Sequence, residues 1–202
     1  MRAMRESSPG HLLSLLLPLH YFYAQQEKDF PSVEFLDGDK IPDPQKSLLV
    51  HDSDMTSTLT RFHGSRLRLK VLCSEHSDEY LIRMVALERV DNGLPVEFGA
   101  IGIHLEKLEN EMREAVISQE GPFGGLLEKY EVEFRSSPKG FFRVDADELI
   151  AGALEDTLQA GLYGRCNELT DNEGFVFADI VEVLPSGLDS FLPTASGKKP
   201  DE

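Results

Sequence analysis

Between residues 66 and 105 the chain carries three strand-like runs joined by tight turns, and this stretch constrains the fold more than any other. Arg66 to Leu72 alternates Arg66, Arg68 and Lys70 with Leu67, Leu69 and Val71, the two-residue period of a half-buried strand. Tyr80 to Val90 is a second strand, Asp91-Asn92-Gly93 a hairpin turn, and Pro95 to Leu105 the returning third strand. A further hairpin is predicted near the end of the chain, where Gly161 to Leu169 and Phe175 to Leu184 flank Thr170-Asp171-Asn172-Glu173-Gly174. Shorter strands are predicted over Glu131 to Phe134 and Gly140 to Val144. Loops this short can only join antiparallel neighbours, because a parallel return needs a long crossover.

Helical spacing fills the intervals. A first helix is predicted from His11 to Gln26, and a second from the His51-Asp52-Ser53-Asp54-Met55-Thr56 cluster, rich in capping oxygens, to Phe62. His63-Gly64 stops that helix, His63 reading as a charge at its C-terminal end. Lys107 to Ser118 puts Leu108, Met112, Ala115 and Val116 on one face, and Gly121-Pro122-Phe123-Gly124-Gly125 opens a turn through Leu127. Asp145 to Gln159 is helical in part, and Glu27 to Pro44 reads as a surface loop. The expectation is one α+β domain over residues 1–186, a single antiparallel sheet of about six strands with helices on one face. Residues 187–202 read as a disordered tail.

Charge and motif content narrow the function. With 20 basic against 36 acidic residues, a net charge of −16 argues against a nucleic-acid partner. It does not oppose a small anion, which needs one local Arg. Arg2 and Arg5 precede an apolar run from Leu12 to Leu19, too short to span a bilayer, and no small-x-small cleavage site follows. Cys73 and Cys166 share no metal-ligand or redox spacing, which fits a reduced, cytoplasmic protein without a disulfide framework. There is no phosphate loop, no H-E-x-x-H and no G-x-S-x-G, so neither a cofactor nor a metal is expected. A monomer with no membrane partner is expected.

Strand parity then singles out charges. Arg83 shares a face with Leu81, Val85 and Leu87, and Glu182 with Val176, Ala178, Ile180 and Leu184. A guanidinium on an apolar face is costly unless an anion pairs with it. Either Arg83 and Glu182 form a structural ion pair, or Arg83 snorkels to water, or the two address opposite ends of a small carboxylate in a pocket. Glu97, with Ile101 and Ile103, is a third candidate acid, and Asp179 lies on the opposite face beside Phe177 and Val181. Gly99 and Gly102 within a strand mark a bulge or a close approach. His51, Asp52 and Ser53 have the types of a nucleophilic triad, but adjacent in sequence they suit capping instead.

Five segments taken in order resemble the chorismate pyruvate-lyases, or 4-hydroxybenzoate synthases. They are Leu48-Leu49 with Asp52-Ser53-Asp54-Met55-Thr56, Tyr80-Leu81-Ile82-Arg83, Pro122-Phe123-Gly124 with Leu127, Ala160-Gly161-Leu162-Tyr163-Gly164-Arg165, and Glu182-Val183-Leu184-Pro185. The resemblance covers roughly residues 45 to 186. It implies a cofactor-free lyase that splits chorismate into a hydroxybenzoate and pyruvate, with Arg83 on the ring carboxylate and Glu182 at the ring hydroxyl. The Met55 and Phe123 segments would line and cover the pocket, and the loops before them would open to release product. Related folds also serve as effector-binding domains of transcription regulators, so a non-catalytic sensor for an aromatic acid is the alternative. The chain departs from the family pattern at the inserted Asp54, at Phe123 in place of Leu, in a longer stretch from Tyr130 to Gln159, and in a terminal acid one residue closer to Leu-Pro. The last departure leaves Asp179 as a rival to Glu182.

Overall fold

A computed structural model describes residues 14–191. Seven strands form one sheet, β1 (Val33–Leu36), β2 (Leu67–His76), β3 (Tyr80–Arg89), β4 (Pro95–His104), β5 (Arg135–Asp145), β6 (Gly161–Thr170) and β7 (Val176–Leu184). Their order is β1-β5-β6-β7-β4-β3-β2, and every neighbouring pair is antiparallel. The helices are α1 (Leu17–Gln25), α2 (Gln45–Leu49), α3 (Met55–His63), α4 (Asn110–Ile117), α5 (Phe123–Lys129) and α6 (Glu148–Leu154). The α+β class and the single antiparallel sheet therefore stand as expected.

Details differ, each for a local reason. Glu27 to Pro44, expected as loop, contains β1, whose four residues pair with Phe141–Val144. Glu131 to Phe134 is not a strand, and Gly140 to Val144 belongs to the longer β5, which tolerates Pro138 through a register shift before Gly140. Pro138 lies beyond the part of β5 that β1 covers, on open edge where its missing N–H is not required. Ser186–Phe191, expected to begin the disordered tail, forms 3₁₀ turns and buries Leu188. The remainder of that tail, the start of the first helix at His11, and Arg2 and Arg5 lie outside the described residues.

Helices cover both faces of the sheet, not one. On one face α1 and α6 pack Leu19, Phe22, Ile150 and Leu154 against Met84, Phe98, Ala100 and Val181. On the other, α4 and α5 pack Met112, Val116, Phe123 and Leu127 against Leu81, Ile101 and Ile103, while α2 and α3 place Leu49 and Leu59 by Leu87 and Leu184. The cause is the two-sided apolar character of the central strands: β4 is buried at every position from Pro95 to Ile103. A sheet of that composition must be covered twice. Among the described residues, no helix is long and apolar enough to cross a membrane.

Candidate functional site

On the face beneath α2–α5, register sets the side chains in rows. Arg83, Ile101, Ile180 and Asn167 stand side by side across β3, β4, β7 and β6. Val85, Gly99, Glu182 and Arg165 form the next row, and beyond it Leu87 stands beside Glu97. A cavity of ≈ 60 Å³ lies over these rows, room for a handful of waters. Gly99 is its floor. A Cβ there would lie 2.4 Å from the Val181 carbonyl oxygen, so only glycine lets β4 and β7 approach in this way. The same position lies 3.5 Å from Glu97 Oε1, which places the Glu97 carboxyl over the floor. Gly102 owes its identity to a different neighbour, the Tyr80 ring that fills the space of its Cβ.

The roof is two helix starts. Asp54 caps α3, its Oδ1 accepting the Ser57 N–H at 2.8 Å, and α5 begins after Pro122. Gly124 lets the two nest, since a Cβ there would come within 2.8 Å of both Asp54 Oδ1 and Thr56 Oγ1. Met55 and Phe123 are buried as a result and line the cavity.

Two guanidinium groups are buried on this face, at 1% exposure for Arg83 and 0% for Arg165. Every nitrogen of Arg165 has an acceptor. Its Nε donates to Glu182 in a buried ion pair, Nη1 donates to the carbonyls of Leu49 (3.2 Å) and His51 (3.1 Å), and Nη2 to that of Ser53 (3.3 Å). It thereby ties the loop between α2 and α3 to the sheet. His51 supports the same loop, its Nδ1 accepting the Ser53 N–H at 3.1 Å and its Nε2 donating to the Leu48 carbonyl at 2.7 Å. Burial and the Arg165 charge lower the His51 pKa, consistent with that neutral tautomer.

Arg83 is the opposite case. Nη2 makes one long contact to the Gly121 carbonyl at 3.5 Å, and Nε and Nη1 have no partner among the described residues. Burial pushes its pKa down to about 10, which leaves it charged at neutral pH. Glu97 is likewise enclosed, with Oε2 unpartnered. Burial, then the charge of Glu182, raise its pKa well above the ordinary 4.5, with Arg165 opposing and Asp54 adding to the rise. Burial and the neighbouring acids thus favour the protonated form of Glu97 at the cavity wall.

The structure brings Arg83, Met55, Phe123 and Glu182 around one cavity. It does not pair Arg83 with Glu182, because Arg165, directly opposite Glu182 in the register, takes that acid. Asp179 is on the other face, in a groove of ≈ 600 Å³ under α1 that also holds Tyr80, Lys139 and Glu168. Phe177, expected beside it, packs instead against Phe123 on the site's face. Glu97 is interior because β4 lies between β3 and β7. His63 is no C-terminal charge: burial, with Arg89, drives its pKa down to about 4. Arg165 was legible only as part of a motif, because its strand face, with Tyr163, Asn167 and Leu169, is less uniformly apolar than that of Arg83.

No family model matches the sequence, and no curated protein matches it significantly. Solved structures do share its fold. PhnF of Mycobacterium smegmatis superposes with a TM-score of 0.52 at 11% identity, over 68% of this chain and 65% of that one. The separate effector domain of PhnF gives 0.51 at 11% identity, over 66% of this chain and 88% of that one. YydK, a possible transcriptional regulator of Bacillus subtilis, gives 0.50 at 12% identity, over 91% of this chain and 98% of that one. The chain has a chorismate lyase-like fold, which it shares with these structures. This chain spans just under two thirds of the length of PhnF.

Two outcomes follow from the buried charges. Arg165→Met leaves Glu182 without a counter-ion and three loop carbonyls without a donor, so urea denaturation is expected to show a loss of about 3–5 kcal/mol. Glu97→Gln is expected to change stability only where the unfolded-state Glu97 ionises. Below pH 4.5 both states of the native residue are neutral and the two proteins agree. As pH rises past that value the unfolded chain ionises first, so the parent loses up to about 1.4 kcal/mol per pH unit relative to the variant until the folded-state pKa is passed. Equal slopes of stability against pH in the two proteins would contradict a neutral Glu97.

Proposed function

We propose that this chain is a ligand-binding module that takes a small aromatic or cyclic carboxylate into the cavity and holds it against Arg83 without transforming it. One observation carries the proposal: a buried, charged guanidinium with two unpartnered nitrogens at the wall of a cavity. Such a group is costly to maintain for structure alone, and a carboxylate supplies two acceptors for a fork of Nη2 with Nε or Nη1, taking Nη2 from its long contact to Gly121. The hydrophobic wall of Val85, Leu87, Ile101, Met55 and Phe123 suits a ring, and the likeness to the PhnF effector domain supports a sensing role. The free thiols of Cys73 and Cys166 suit a reducing, cytoplasmic setting.

A cofactor-free chorismate lyase is the second reading. Glu97 favours it, since a neutral acid in an apolar pocket can hand a proton to a departing enolpyruvyl group. Against it stands Glu182, the acid that the resemblance puts at the ring hydroxyl, which is committed to Arg165. The lyase would draw its driving force from aromatisation, leaving the protein to orient the substrate through Arg83 and exclude water.

Calorimetric titration with 4-hydroxybenzoate separates an anion site from a structural Arg. Arg83→Met keeps the volume and removes the charge. It is expected to weaken binding by about 2–4 kcal/mol while leaving thermal stability equal to or above that of the parent. Unchanged affinity in the folded variant would remove Arg83 from the site. Incubation with chorismate is expected to yield no pyruvate beyond the spontaneous rate. Sustained pyruvate release that Arg83→Met abolishes would establish the lyase in place of the sensor.

A further inference from the structure

The cavity has a second buried polar end that the Arg83 reading leaves unused. Glu97 is 6% exposed, its Oε2 lacks a partner, and its Oε1 hangs over Gly99. Gly99 lies one register row from Arg83, a step of two residues or about 7 Å along the strands. That backbone spacing is of the same order as the distance across a six-membered ring from its carboxylate to the substituent opposite. We propose that Glu97 is a specificity-determining residue, a hydrogen-bond donor that selects ring carboxylates bearing an uncharged acceptor oxygen across the ring from the carboxylate held by Arg83. The inference rests on the anion-site reading and names the ligand class within it.

The groups facing Glu97 determine its protonation. From β7 comes Glu182, from β6 Arg165, and from the start of α3 Asp54, while β3 offers Val85 and Leu87 and α5 offers Phe123. Arg165 is the one nearby cation of this set, and its Nε already serves Glu182. A carboxylate at Glu97 would be a third beside Glu182 and Asp54, which favours keeping the proton on Glu97. That O–H has no acceptor among the described residues, and a buried donor without an acceptor is unfavourable until a ligand oxygen meets it. The same acids repel a ligand charged at both ends, so a ring dicarboxylate is excluded where a hydroxy acid is accepted. The family resemblance assigns the ring hydroxyl to the terminal acid; here the geometry gives the contact to an acid on β4 because the terminal acid is taken.

Calorimetry with 4-hydroxybenzoate and 4-methylbenzoate tests this on the unaltered protein and on two variants. The two acids share a shape and differ in the acceptor oxygen. The parent is expected to prefer 4-hydroxybenzoate by about tenfold, the worth of one ordinary hydrogen bond. Glu97→Gln keeps a neutral donor and is expected to keep the preference. Glu97→Leu is expected to bind both acids about equally, with 4-methylbenzoate held within about threefold of the parent because its Arg83 contact is intact. A preference that survives Glu97→Leu overturns the inference. So does a parent that binds both acids alike, which removes Glu97 and leaves the Arg83 site standing. Failure of the parent to bind either acid removes the Arg83 site and Glu97 with it. Should Glu97→Leu not fold, the comparison of the two acids on the parent and on Glu97→Gln still decides.

Discussion

Taking a guanidinium out of water costs several kcal/mol unless anions and acceptors replace its hydration, and the inner face of this sheet buries two. Arg165 meets that requirement within the protein, through Glu182 and the carbonyls of Leu49, His51 and Ser53. Arg83, one row away, does not. The contrast organises the site. By pairing with Glu182, Arg165 takes that acid out of Arg83's reach, while Glu97 keeps an unpartnered Oε2. An unbalanced guanidinium and a buried, unpartnered carboxyl then line the same largely apolar cavity.

The same pair links the site to the scaffold. The loop that Arg165 holds runs directly into Asp54 and Met55, so the roof over the cavity is anchored to the sheet through Arg165, with Ser136 Oγ of β5 also donating to the Ser53 carbonyl. The other half of the roof is tied more loosely. Gly121 and Gly125 flank the start of α5 with open space around them, and the long Gly121–Arg83 contact is the roof's polar link to the anchor. A ligand carboxylate arriving at Arg83 competes with that link.

Much of the fold was readable because its hairpins are local: the strands on either side of Asp91-Asn92-Gly93 and Thr170 to Gly174 match the structure to within a residue or two. β1 escaped because four residues between Pro31 and Gly38 give too few alternations to outweigh their polar surroundings. The second helical layer was legible in principle, since Val96, Phe98 and Ala100 are as apolar as Ile101 and Ile103 on the opposite side. Parity picked out Arg83, Glu97 and Glu182 from single strands. What parity cannot supply is the pairing between strands that are far apart in sequence. Only the β6–β7 and β4–β7 registers reveal that Glu182 faces Arg165 and that Gly99 opens the floor between them.

The central claim is that the fold holds a charged Arg83 in reserve for a carboxylate. Thermal denaturation in the presence of 4-hydroxybenzoate and of its methyl ester tests this most directly, because the two differ in the charge that Arg83 would meet. A ligand that binds the native state alone raises stability as its concentration passes the dissociation constant, by about 2.7 kcal/mol at a hundredfold excess. The account predicts a concentration-dependent rise in Tm with the acid and little or none with the ester. Equal shifts with both compounds, or none with either, would contradict it.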